Sequence, residues 1–542
     1  MTGELGLDAD VLVIGGGPAG TWAAVAAVGA GARVVLADKG YCGTSGAAAA
    51  GGNNVWYVPP DRAARERSVA ERETRAGQLT ERDWMLRTVD EAYRRLGDLA
   101  DWGYPYPVDE AGRQRRGSLQ GPQYLRTMRY RAKRAGVRIL DHSPALELLT
   151  DPDGAVGGAA GLRRQDGGRR WTVHAGAVVL ATGGCAFLSG ALGLNVDTGD
   201  GHLMAAEVGV ALSGMEFSAA YALAPAFGGQ TKGLMMQFAT YYDADGRELD
   251  VGDPLTGRDA LARLAATGQP LYARLDRAPE SLRAAARLAQ PNYFLPLDKA
   301  GIDPFTTAYP VRFVLEGTVR GTGGLALAGD DCATGVPGLY AAGDVATREY
   351  VTGAISGGGS HNAAWAMASG TWAGAAAARY ARRATRSAAP LHPAGRVGMR
   401  PSDGVSRPAA EVVAAVQREV VPLDRNYFRT GRGLRRSLST LDDLWREAAG
   451  GLTVGAAGQR SEAGALPARQ AAALVAHARW MYTAALARAE TRGLHRRDDR
   501  PHARPDGARR ITVGGLDQVW TAVGSDPVAG AGGQLGAGVG AA

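Results

Sequence analysis

The feature that most constrains this chain is an apolar segment that leads directly into closely spaced glycines near the N-terminus. Residues 11–14 are short and apolar enough for a buried parallel strand. Gly15, Gly17 and Gly20 follow with G-x-G-x-x-G spacing, and the alanine-rich segment 21–28 predicts a helix. Gly15 permits the tight turn, Gly17 lets the backbone approach a pyrophosphate, and Gly20 lets helix and strand pack closely. The order of strand, glycines and helix predicts a dinucleotide site with the anion at the helix N-terminus.

The next two segments extend this site. Residues 33–37 predict a second strand that ends at Asp38, whose carboxylate can accept hydrogen bonds from both ribose hydroxyls of an adenosine. Residues 43–54 form a loop of mostly Gly and Ala, whose small side chains let the backbone approach a flat ligand. A flexible surface loop is the competing interpretation, but its place directly after the ribose-binding strand favours a cofactor contact.

Two later strand ends repeat the nucleotide-binding pattern. Residues 177–184 predict a buried strand that ends in Ala-Thr-Gly-Gly. Asp200 then precedes a helix predicted over 203–208, where it can cap the helix or reach the cofactor. Residues 335–344 predict a strand ending in Gly-Asp, and the glycines at 353–359 precede a long alanine-rich helix. The N-terminal dipole of that helix would face an anionic part of the ligand.

Composition excludes several classes of function. Hydrophobic residues make up 45% and charged residues 21%, which is ordinary for a soluble globular protein, and 542 residues predict two to four structural units. The formal charge is +7, but the arginines are scattered, so nucleic-acid binding is not expected. Cys42, Cys185 and Cys332 lie far apart, which excludes a metal or cluster motif carried by this chain alone. No run of 18 apolar residues or secretory leader is present, so we expect a soluble cytoplasmic protein without a membrane contact.

Taken together, the motifs resemble the flavoprotein superfamily of succinate dehydrogenase, fumarate reductase, L-aspartate oxidase and adenylylsulfate reductase. The resemblance covers about residues 10–505. The N-terminal fingerprint, the Ala-Ala-x-Gly-Gly-x-Asn run ending at Asn54, and the segments 198–201, 215–217 and 336–344 occur in family order. Residues 491–501 match the family segment Ser-Arg-Gly-Ala-His-x-Arg-x-Asp-x-Pro at six positions: Arg492, Gly493, His495, Arg497, Asp499 and Pro501. We interpret the basic residues of this segment as a salt-bridge cluster at a domain junction rather than as catalytic groups.

The resemblance implies an α/β fold: a Rossmann-like FAD-binding domain, split by an inserted α+β capping domain and followed by a helical C-terminal domain. We expect the FAD-binding domain at 1–212 and 326–384 and the capping, substrate-binding domain at 213–325. A linker is expected at 385–408, the helical domain at 409–524 and a disordered tail at 525–542.

The resemblance also implies FAD as the cofactor. Membrane-bound members attach FAD covalently through a histidine, and the aligned position here holds Ser45. A hydroxyl cannot form the histidyl bond, so we predict non-covalent FAD. The predicted cofactor-binding residues are Gly15, Gly17, Pro18, Ala19, Gly20, Asp38, Lys39, Thr44, Ser45, Gly46, Gly51, Gly52, Ala145, Ala181, Thr182, Gly183, Asn195, Asp200, Gly343, Asp344, Gly359 and Ser360.

The substrate positions depart from the family pattern. Dicarboxylate members bind substrate through two histidines and an arginine, which align with Tyr221, Thr352 and Ser356, and donate a proton from a further arginine. We expect that arginine within residues 235–242, which contain none. Removing one partner of a buried charged pair costs roughly 2–5 kcal/mol. These substitutions therefore predict that succinate, fumarate and aspartate are not substrates.

The replacements in these stretches are the candidate catalytic and substrate-binding residues. Phenols and imidazoles can donate hydrogen bonds or act as acids and bases, although packing is the competing interpretation for each tyrosine. An arginine near the family's His-x-x-Met-Gly-Gly turn can contact an anion. The predicted catalytic residues are Tyr221, Tyr242, Arg320 and His361, and the predicted substrate-binding residues are Tyr241, Tyr350, Thr352 and Ser356.

Three functions are consistent with these features. The first is an FAD-dependent dehydrogenase or oxidase that transfers a hydride between flavin N5 and a small organic substrate. The second resembles adenylylsulfate reductase and works with an iron–sulfur partner, which would supply every cluster. The third is a flavin-binding assembly or carrier protein without turnover. A homo-oligomer is left open, and neither the substrate nor the direction of reaction follows from the sequence.

Overall fold

The computed structural model describes residues 4–109, 111–231, 234–252, 258–384, 389–399, 407–452 and 462–524. The predicted tail at 525–542 and part of the predicted linker, 385–388 and 400–406, lie outside the described residues. The described strands are β1 (Leu5–Ile14), β2 (Val34–Ala37), β3 (Gly52–Asn54), β4 (Ser118–Gln120), β5 (Arg138–Leu140), β6 (Ala145–Thr150), β7 (Val156–Arg163), β8 (Arg169–Leu180), β9 (Leu212–Ser213), β10 (Tyr221–Pro225), β11 (Thr240–Tyr242), β12 (Leu271–Arg274), β13 (Tyr309–Leu315), β14 (Gly324–Leu325), β15 (Leu339–Ala341), β16 (His392–Pro393), β17 (Ile511–Gly514) and β18 (Trp520–Val523).

The helices differ from the sequence predictions mainly at their ends. The charged segment 61–101 forms two helices. No helix in the described ranges is long and apolar enough to cross a bilayer. The helices are α1 (Pro18–Gly29), α2 (Arg62–Arg75), α3 (Arg82–Asp101), α4 (Gly121–Arg134), α5 (Asp200–Glu207), α6 (Arg258–Ala266), α7 (Glu280–Ala289), α8 (Pro291–Lys299), α9 (Gly317–Arg320), α10 (Glu349–Thr352), α11 (Ser360–Arg383), α12 (Ala409–Val420), α13 (Gly431–Gly451) and α14 (Glu462–Ala487).

The main sheet is built around β1. β1 pairs in parallel with β2 and β8, β2 continues to β5, and the end of β8 pairs in parallel with β15. An antiparallel extension runs from β8 through β7 and β6 to β16. Residues 11–13 are fully buried in the interior of this sheet, where α1 and α11 pack against β1. The predicted Rossmann-like fold is confirmed.

Small residues let α1 and α11 cross closely on one face of this sheet. A Cβ atom at Gly370 would lie 2.3 Å from the carbonyl oxygen of Ala19, and one at Gly374 would lie 2.1 Å from that of Ala23. Because these distances are below van der Waals contact, only glycine fits at either place. The alanine-rich sequence of α11 therefore serves packing, and the first turns of α1 lie against the middle of α11.

The segment between the two halves of the main sheet contains a second sheet with its own core. Its antiparallel strand order is β10, β13, β12, β11. Large side chains from this sheet and from α8, including Tyr241, Tyr293 and Tyr309, are fully buried in a separate hydrophobic cluster. We call this sheet, with α6 to α8, the capping unit.

The C-terminal region is mainly helical, as predicted, but it also contains two strands that the sequence analysis missed. α12, α13 and α14 pack together, whereas β17 and β18 form a hairpin that joins β9 and β14 in a four-stranded sheet. Ile511 and Val513 are buried there in strand alternation. The partner of β17 is β9, which is far earlier in the chain, so local periodicity gave no signal.

A group of buried charges fastens this C-terminal region to the segment that follows β9. Arg488 contacts Glu216 at 2.7 Å and Glu490 at 3.0 Å, and all three side chains are almost fully buried. Glu349 lies in the same group, where Ser213 donates a hydrogen bond to it. Burial and the nearby Glu216 carboxylate raise the pKa of Glu349 from 4.5 to about 7.

We expect Glu349→Gln to be more stable than the unaltered protein above pH 7. Between pH 4.5 and about 7 the folded state holds a proton on Glu349 that the unfolded chain releases. Stability is therefore lost as the pH rises through this window, by roughly 3 kcal/mol. Urea unfolding midpoints between pH 4.5 and 8 should fall less steeply for this variant. Glu280→Gln, at an 88% exposed side chain, is the control and should leave the slope unchanged; an unchanged slope for Glu349→Gln would contradict the assignment.

Candidate active site

One cavity of about 910 Å³ runs from the carboxyl ends of the main-sheet strands to the underside of the capping unit. This volume lies near the upper limit of the roughly 300–1,000 Å³ usual for ligand pockets. One end is lined by the first glycine turn and the loop after β2, and the other by β10, the end of β13 and the first turn of α6. The cavity has room for an extended ligand and a second, smaller group.

The glycine turn forms the floor at one end. Gly15 has a φ of +111°, and a Cβ there would lie 2.2 Å from the carbonyl oxygen of Ala181. A Cβ at Gly20 would lie 1.8 Å from the carbonyl oxygen of Gly15. A Cβ at Gly17 would meet no protein atom within 4 Å, and Gly17 lines the cavity. Gly17 is also the N-cap of α1 and no side chain caps that helix, so its first N–H groups face the cavity as an anion site.

Asp38 closes the end of β2. Its carboxylate accepts hydrogen bonds from the backbone N–H groups of Gly16 and Gly40 and, at 3.3 Å, from the Ser45 hydroxyl. Burial raises the pKa of Asp38 above its ordinary value. These contacts fix the carboxylate at the cavity wall, where the sequence predicts a ribose.

Lys39, Asp200 and Thr182 lie on the wall beside Asp38. The Lys39 Nζ atom is 2.5 Å from the Asp200 carboxylate and 2.6 Å from the Thr198 hydroxyl. The Thr182 hydroxyl is buried and has no hydrogen-bond partner among the described residues. A buried hydroxyl without a partner costs free energy, so this wall fits a polar ligand.

The second half of the nucleotide-binding pattern forms the opposite wall. Gly343 and Asp344 follow β15, and Arg348, which is fully buried, forms an ion pair with Asp344. Arg348 also donates to the carbonyl groups of Thr318 (2.7 Å) and Gly321. Arg348 was not among the residues predicted from the sequence, although its position four residues after Asp344 is a detectable signal. Gly359, the N-cap of the 24-residue helix α11, has no side-chain cap and lines the cavity.

Most of the predicted cofactor residues line this cavity. They are Gly15, Gly17, Pro18, Ala19, Asp38, Lys39, Ser45, Gly46, Gly51, Gly52, Ala145, Ala181, Thr182, Gly183, Asp200, Gly343, Asp344 and Gly359. Four others do not line it. Gly20 packs under Gly15, Thr44 and Asn195 are exposed, and the Ser360 hydroxyl faces the ring of His361. The cavity therefore keeps the hydrogen-bond donors, glycines and helix N-termini that a dinucleotide such as FAD requires.

Tyr221 lines the cavity with its ring rather than presenting a free hydroxyl. The hydroxyl contacts the carbonyl oxygens of Val420 (2.9 Å) and Val421 (3.0 Å) at the end of α12. Burial raises the pKa of Tyr221 well above its ordinary value. A phenol with this pKa and these acceptors is held protonated, which does not suit the acid–base role predicted for it.

Arg320, the predicted anion contact, lines the cavity. Its Nε atom is 3.6 Å from a carboxylate oxygen of Glu316, one helical turn earlier. A Cβ at Gly359 would lie 3.2 Å from the Nη1 atom of Arg320, so the guanidinium lies over the N-terminus of α11. Ser356 also lines the cavity. Glu316, which the sequence analysis missed, is buried between Arg320 and the capping unit.

The structure does not bring the other predicted catalytic and substrate-binding residues to the cavity. Tyr241 is buried in the capping core, and Tyr242, on the edge strand β11, contacts Asp276. Tyr350 stacks on Trp84, with ring centroids 5.1 Å apart. The Thr352 hydroxyl is buried against that of Thr322. Tyr241 and Tyr242 lie on β11, and Tyr350 and Thr352 lie on α10, and each side chain packs against other protein groups instead of lining the cavity.

His361 also lies outside the cavity wall. Its ring packs against Trp56, with centroids 4.3 Å apart, and its Nδ1 atom is 3.2 Å from the carbonyl oxygen of Gly357. Burial, followed by the charge of Arg72, lowers the pKa of His361 to about 3. A neutral, packed imidazole of this kind does not fit the predicted catalytic role.

An arginine does reach the cavity from the capping unit, outside the segment 235–242 in which the family's proton-donating arginine was expected. It is Arg258, at the first turn of α6, and not a residue of 235–242. The neighbouring Asp259 accepts hydrogen bonds from Tyr427 (2.6 Å) and Arg496 (3.0 Å) of the C-terminal region. The charged Arg-Asp pair at the start of an amphipathic helix is the sequence signal that was available.

Residues 491–501 lie mainly in the interface network, in agreement with their structural interpretation. Arg492 pairs with Glu490, Arg497 pairs with Asp499, and His495 contacts Arg429. Only Leu494 and Arg496 of this segment line the cavity.

Comparisons with known proteins agree with the site. The profile described as an FAD binding domain matches residues 10–221, and the one described as the fumarate reductase flavoprotein C-terminus matches residues 418–518. An L-aspartate oxidase of Mycobacterium bovis is 29% identical, over 94% of this chain and 96% of its own length.

Two solved structures have the same fold. A quinol–fumarate reductase matches with a TM-score of 0.81 at 19% identity, covering 96% of this chain and 99% of its own. The adenylylsulfate reductase of Archaeoglobus fulgidus matches with a TM-score of 0.75 at 19% identity, covering 96% of each chain. The predicted family, FAD as the cofactor and the enzyme class are confirmed. The chain is an FAD-dependent oxidoreductase that combines an FAD binding domain with a C-terminal region of the fumarate reductase flavoprotein type.

Proposed function

We propose that this enzyme oxidises or reduces a small organic substrate other than succinate, fumarate or aspartate. The substrate binds between the N-terminus of α11 and the underside of the capping unit. When bound, FAD supplies the two-electron chemistry by accepting or giving a hydride at N5. The protein orients the substrate, excludes water and supplies polar contacts, of which Arg320 is the anion contact.

The observation that carries this proposal is the loop between α10 and α11. Dicarboxylate members of the family are expected to bring a histidine and an arginine from this loop. Here the loop turns the Thr352 hydroxyl into the core and offers the cavity Ser356 and glycines. Arg72 of α2 donates to the carbonyl groups of Thr352 (3.0 Å) and Ser356 (3.0 Å), which fixes the loop from its outer side. A dianionic substrate loses two of its expected partners at this wall.

Anaerobic mixing of the holoenzyme with candidate substrates tests the proposal. Succinate and L-aspartate should leave the oxidised flavin spectrum unchanged, and fumarate should not reoxidise the reduced flavin. Dithionite reduction serves as the control for a redox-competent flavin. Flavin bleaching by L-aspartate or succinate, or reoxidation by fumarate, at a rate compatible with turnover would refute the exclusion of these substrates.

FAD is expected to bind without a covalent bond. The Ser45 hydroxyl is engaged with Asp38, and neither histidine nor cysteine is among the described residues that line the cavity. Precipitation with acid should therefore release the yellow colour into the supernatant, measured by absorbance and by mass spectrometry of the denatured chain. A yellow pellet, or a chain whose mass is increased by that of FAD, would contradict this prediction.

The two other functions are weaker proposals. An iron–sulfur partner would have to bring its own clusters, because Cys42, Cys185 and Cys332 are buried at separate places. Turnover of the isolated chain with oxygen or a dye would count against a required partner. A carrier without turnover would fit a closed substrate compartment, whereas the cavity here is continuous from the nucleotide-binding end to the capping unit.

A further inference from the structure

The capping end of the cavity contains a buried group of hydrogen-bond acceptors that neither the family pattern nor the anion contact explains. Glu316 follows β13, and its side chain is only 5% exposed. Gln230 is 3% exposed and Thr231 is 9% exposed, and both lie in the loop after β10. All three residues line the cavity. We call Glu316, Gln230 and Thr231 the acceptor cluster.

The cluster is held in place by contacts that leave some acceptors unused. The Thr231 hydroxyl donates to Oε1 of Glu316 at 2.7 Å, and the Glu316 backbone N–H donates to the carbonyl oxygen of Ala220 at 2.8 Å. No described residue donates a hydrogen bond to Oε2 of Glu316. The Oε1 atom of Gln230 is buried and has no hydrogen-bond partner in the described parts of the chain.

Arg320 does not neutralise this cluster fully. Its Nε atom is 3.6 Å from Oε1 of Glu316, beyond hydrogen-bond distance, and its guanidinium extends instead over Gly359. The buried Gln230 amide oxygen without a donor is unfavourable unless a ligand supplies one, and the Oε2 atom of Glu316, which no described residue donates to, can accept from the same ligand. The group that best satisfies both is a cation with several N–H donors, since a protonated amine offers up to three.

We propose that the substrate carries a protonated amine and that Glu316 binds it, with the Gln230 amide oxygen as a second acceptor. Thr231 is a positioning residue that fixes the orientation of the Glu316 carboxylate. This inference rests on the proposed function, because it assigns the substrate class of the same compartment. Arg320, beside the cluster, receives a carboxylate where the substrate has one.

Four probes with four-carbon chains test the proposal without requiring turnover: n-butylamine, butyrate, 2-aminobutyrate and succinate. Each is titrated into the oxidised holoenzyme under anaerobic conditions, and binding is measured from the change in the flavin absorption spectrum. Butylamine and 2-aminobutyrate should bind, and butyrate and succinate should bind at least about tenfold more weakly. Glu316→Gln should weaken amine binding by about 10- to 100-fold, the range for a lost hydrogen bond to a charged group.

Three further variants keep the test decisive. Glu316→Asp retains the charge and should recover part of the amine binding. Gln230→Leu should weaken amine binding several-fold, and it serves as the test if Glu316→Gln does not fold. Glu280→Gln, on the exposed face of the capping unit, is the matched control and should bind as the unaltered protein does. The proposal is overturned if no amine perturbs the spectrum, if butyrate or succinate binds as tightly as the amines, or if Glu316→Gln and Gln230→Leu leave amine binding unchanged.

The same experiment separates this inference from the function on which it rests. Amine binding that depends on Glu316, in an enzyme whose flavin no candidate donor or acceptor ever changes, would support the amine site and count against the oxidoreductase proposal for that site. Rapid flavin reduction by a substrate without nitrogen would support the oxidoreductase function and overturn the amine site.

Discussion

Gly17→Ala should release FAD from a protein that is still folded, whereas Gly20→Ala should damage the fold itself. A Cβ at Gly17 meets no protein atom within 4 Å, and the backbone φ there is −75°, which alanine adopts without strain. The new methyl group would occupy cavity space in front of the first N–H groups of α1, where the pyrophosphate is expected. Overpacking of this kind costs about 1–3 kcal/mol, so FAD affinity should fall roughly 5- to 150-fold.

Gly20→Ala differs because the new methyl group would clash with the protein backbone itself. Its Cβ would lie 1.8 Å from the carbonyl oxygen of Gly15, and a backbone atom cannot move aside as a flexible side chain can. β1 and α1 would have to separate, with a loss of about 3 kcal/mol or more of stability and loss of FAD. Gly29→Ala at the end of α1 meets nothing within 4 Å and serves as the control. It should keep both FAD and stability, since alanine is favoured over glycine in a helix.

The ratio of flavin to protein absorbance after gel filtration, FAD titration of the apoprotein and thermal unfolding distinguish these outcomes. Retention of FAD by Gly17→Ala at the unaltered affinity would contradict the position assigned to the pyrophosphate. Equal stability of the Gly17→Ala and Gly20→Ala apoproteins would contradict the close contact between β1 and α1.

The contrast between these glycines also shows which parts of the molecule were predictable. Gly15, Gly17 and Gly20 lie in one strand-to-helix turn, and their spacing is enough to identify that turn as a dinucleotide-binding motif. The strands ending at Asp38, Thr182 and Asp344 were likewise recognisable, because each is a buried strand followed by its functional residue. Local sequence therefore predicted most of the nucleotide-binding end of the cavity.

The substrate end depends on contacts between distant segments, which local patterns do not report. Tyr241 and Tyr242 are adjacent in the sequence, yet one lies in the capping core and the other contacts Asp276, and neither reaches the cavity. Glu316 becomes part of the site only because β13 pairs with β10 and brings it beside the loop that carries Thr231. Alignment to family positions failed in the same place, because it located residues by order in the chain and not by the direction of the side chain.

Arg488→Met should have the largest effect on stability of any substitution considered. The guanidinium donates to Glu216 (2.8 Å), to Glu490 (3.0 Å) and to the carbonyl oxygens of Gly507 (2.7 Å) and Arg509 (2.8 Å). Removing it leaves the Glu216 carboxylate, which is fully buried, without its ion-pair partner. Breaking a buried ion pair costs about 3–5 kcal/mol, because the remaining charge is uncompensated.

The loss of stability should be partly reversed when the unpaired Glu216 carboxylate is also removed. Glu216→Gln in the Arg488→Met background is expected to recover stability, while Glu490 keeps its contact with Arg492 at 2.7 Å. Arg446→Met, at a 75% exposed side chain, is the matched control and should change stability by less than about 0.5 kcal/mol. Urea unfolding followed by flavin and tryptophan fluorescence measures the apparent losses in each part of the chain.

The flavin signal decides what this network does for the active site. Arg488 joins the C-terminal region to the segment that leads into β10, and Tyr427 and Arg496 of that region reach the cavity. If the network positions them, Arg488→Met should release FAD at a lower urea concentration than the unaltered protein. If Arg488→Met has the same unfolding midpoint as Arg446→Met, water or local rearrangement compensates the Glu216 charge. The buried ion-pair network would then not be responsible for holding the C-terminal region against the cavity.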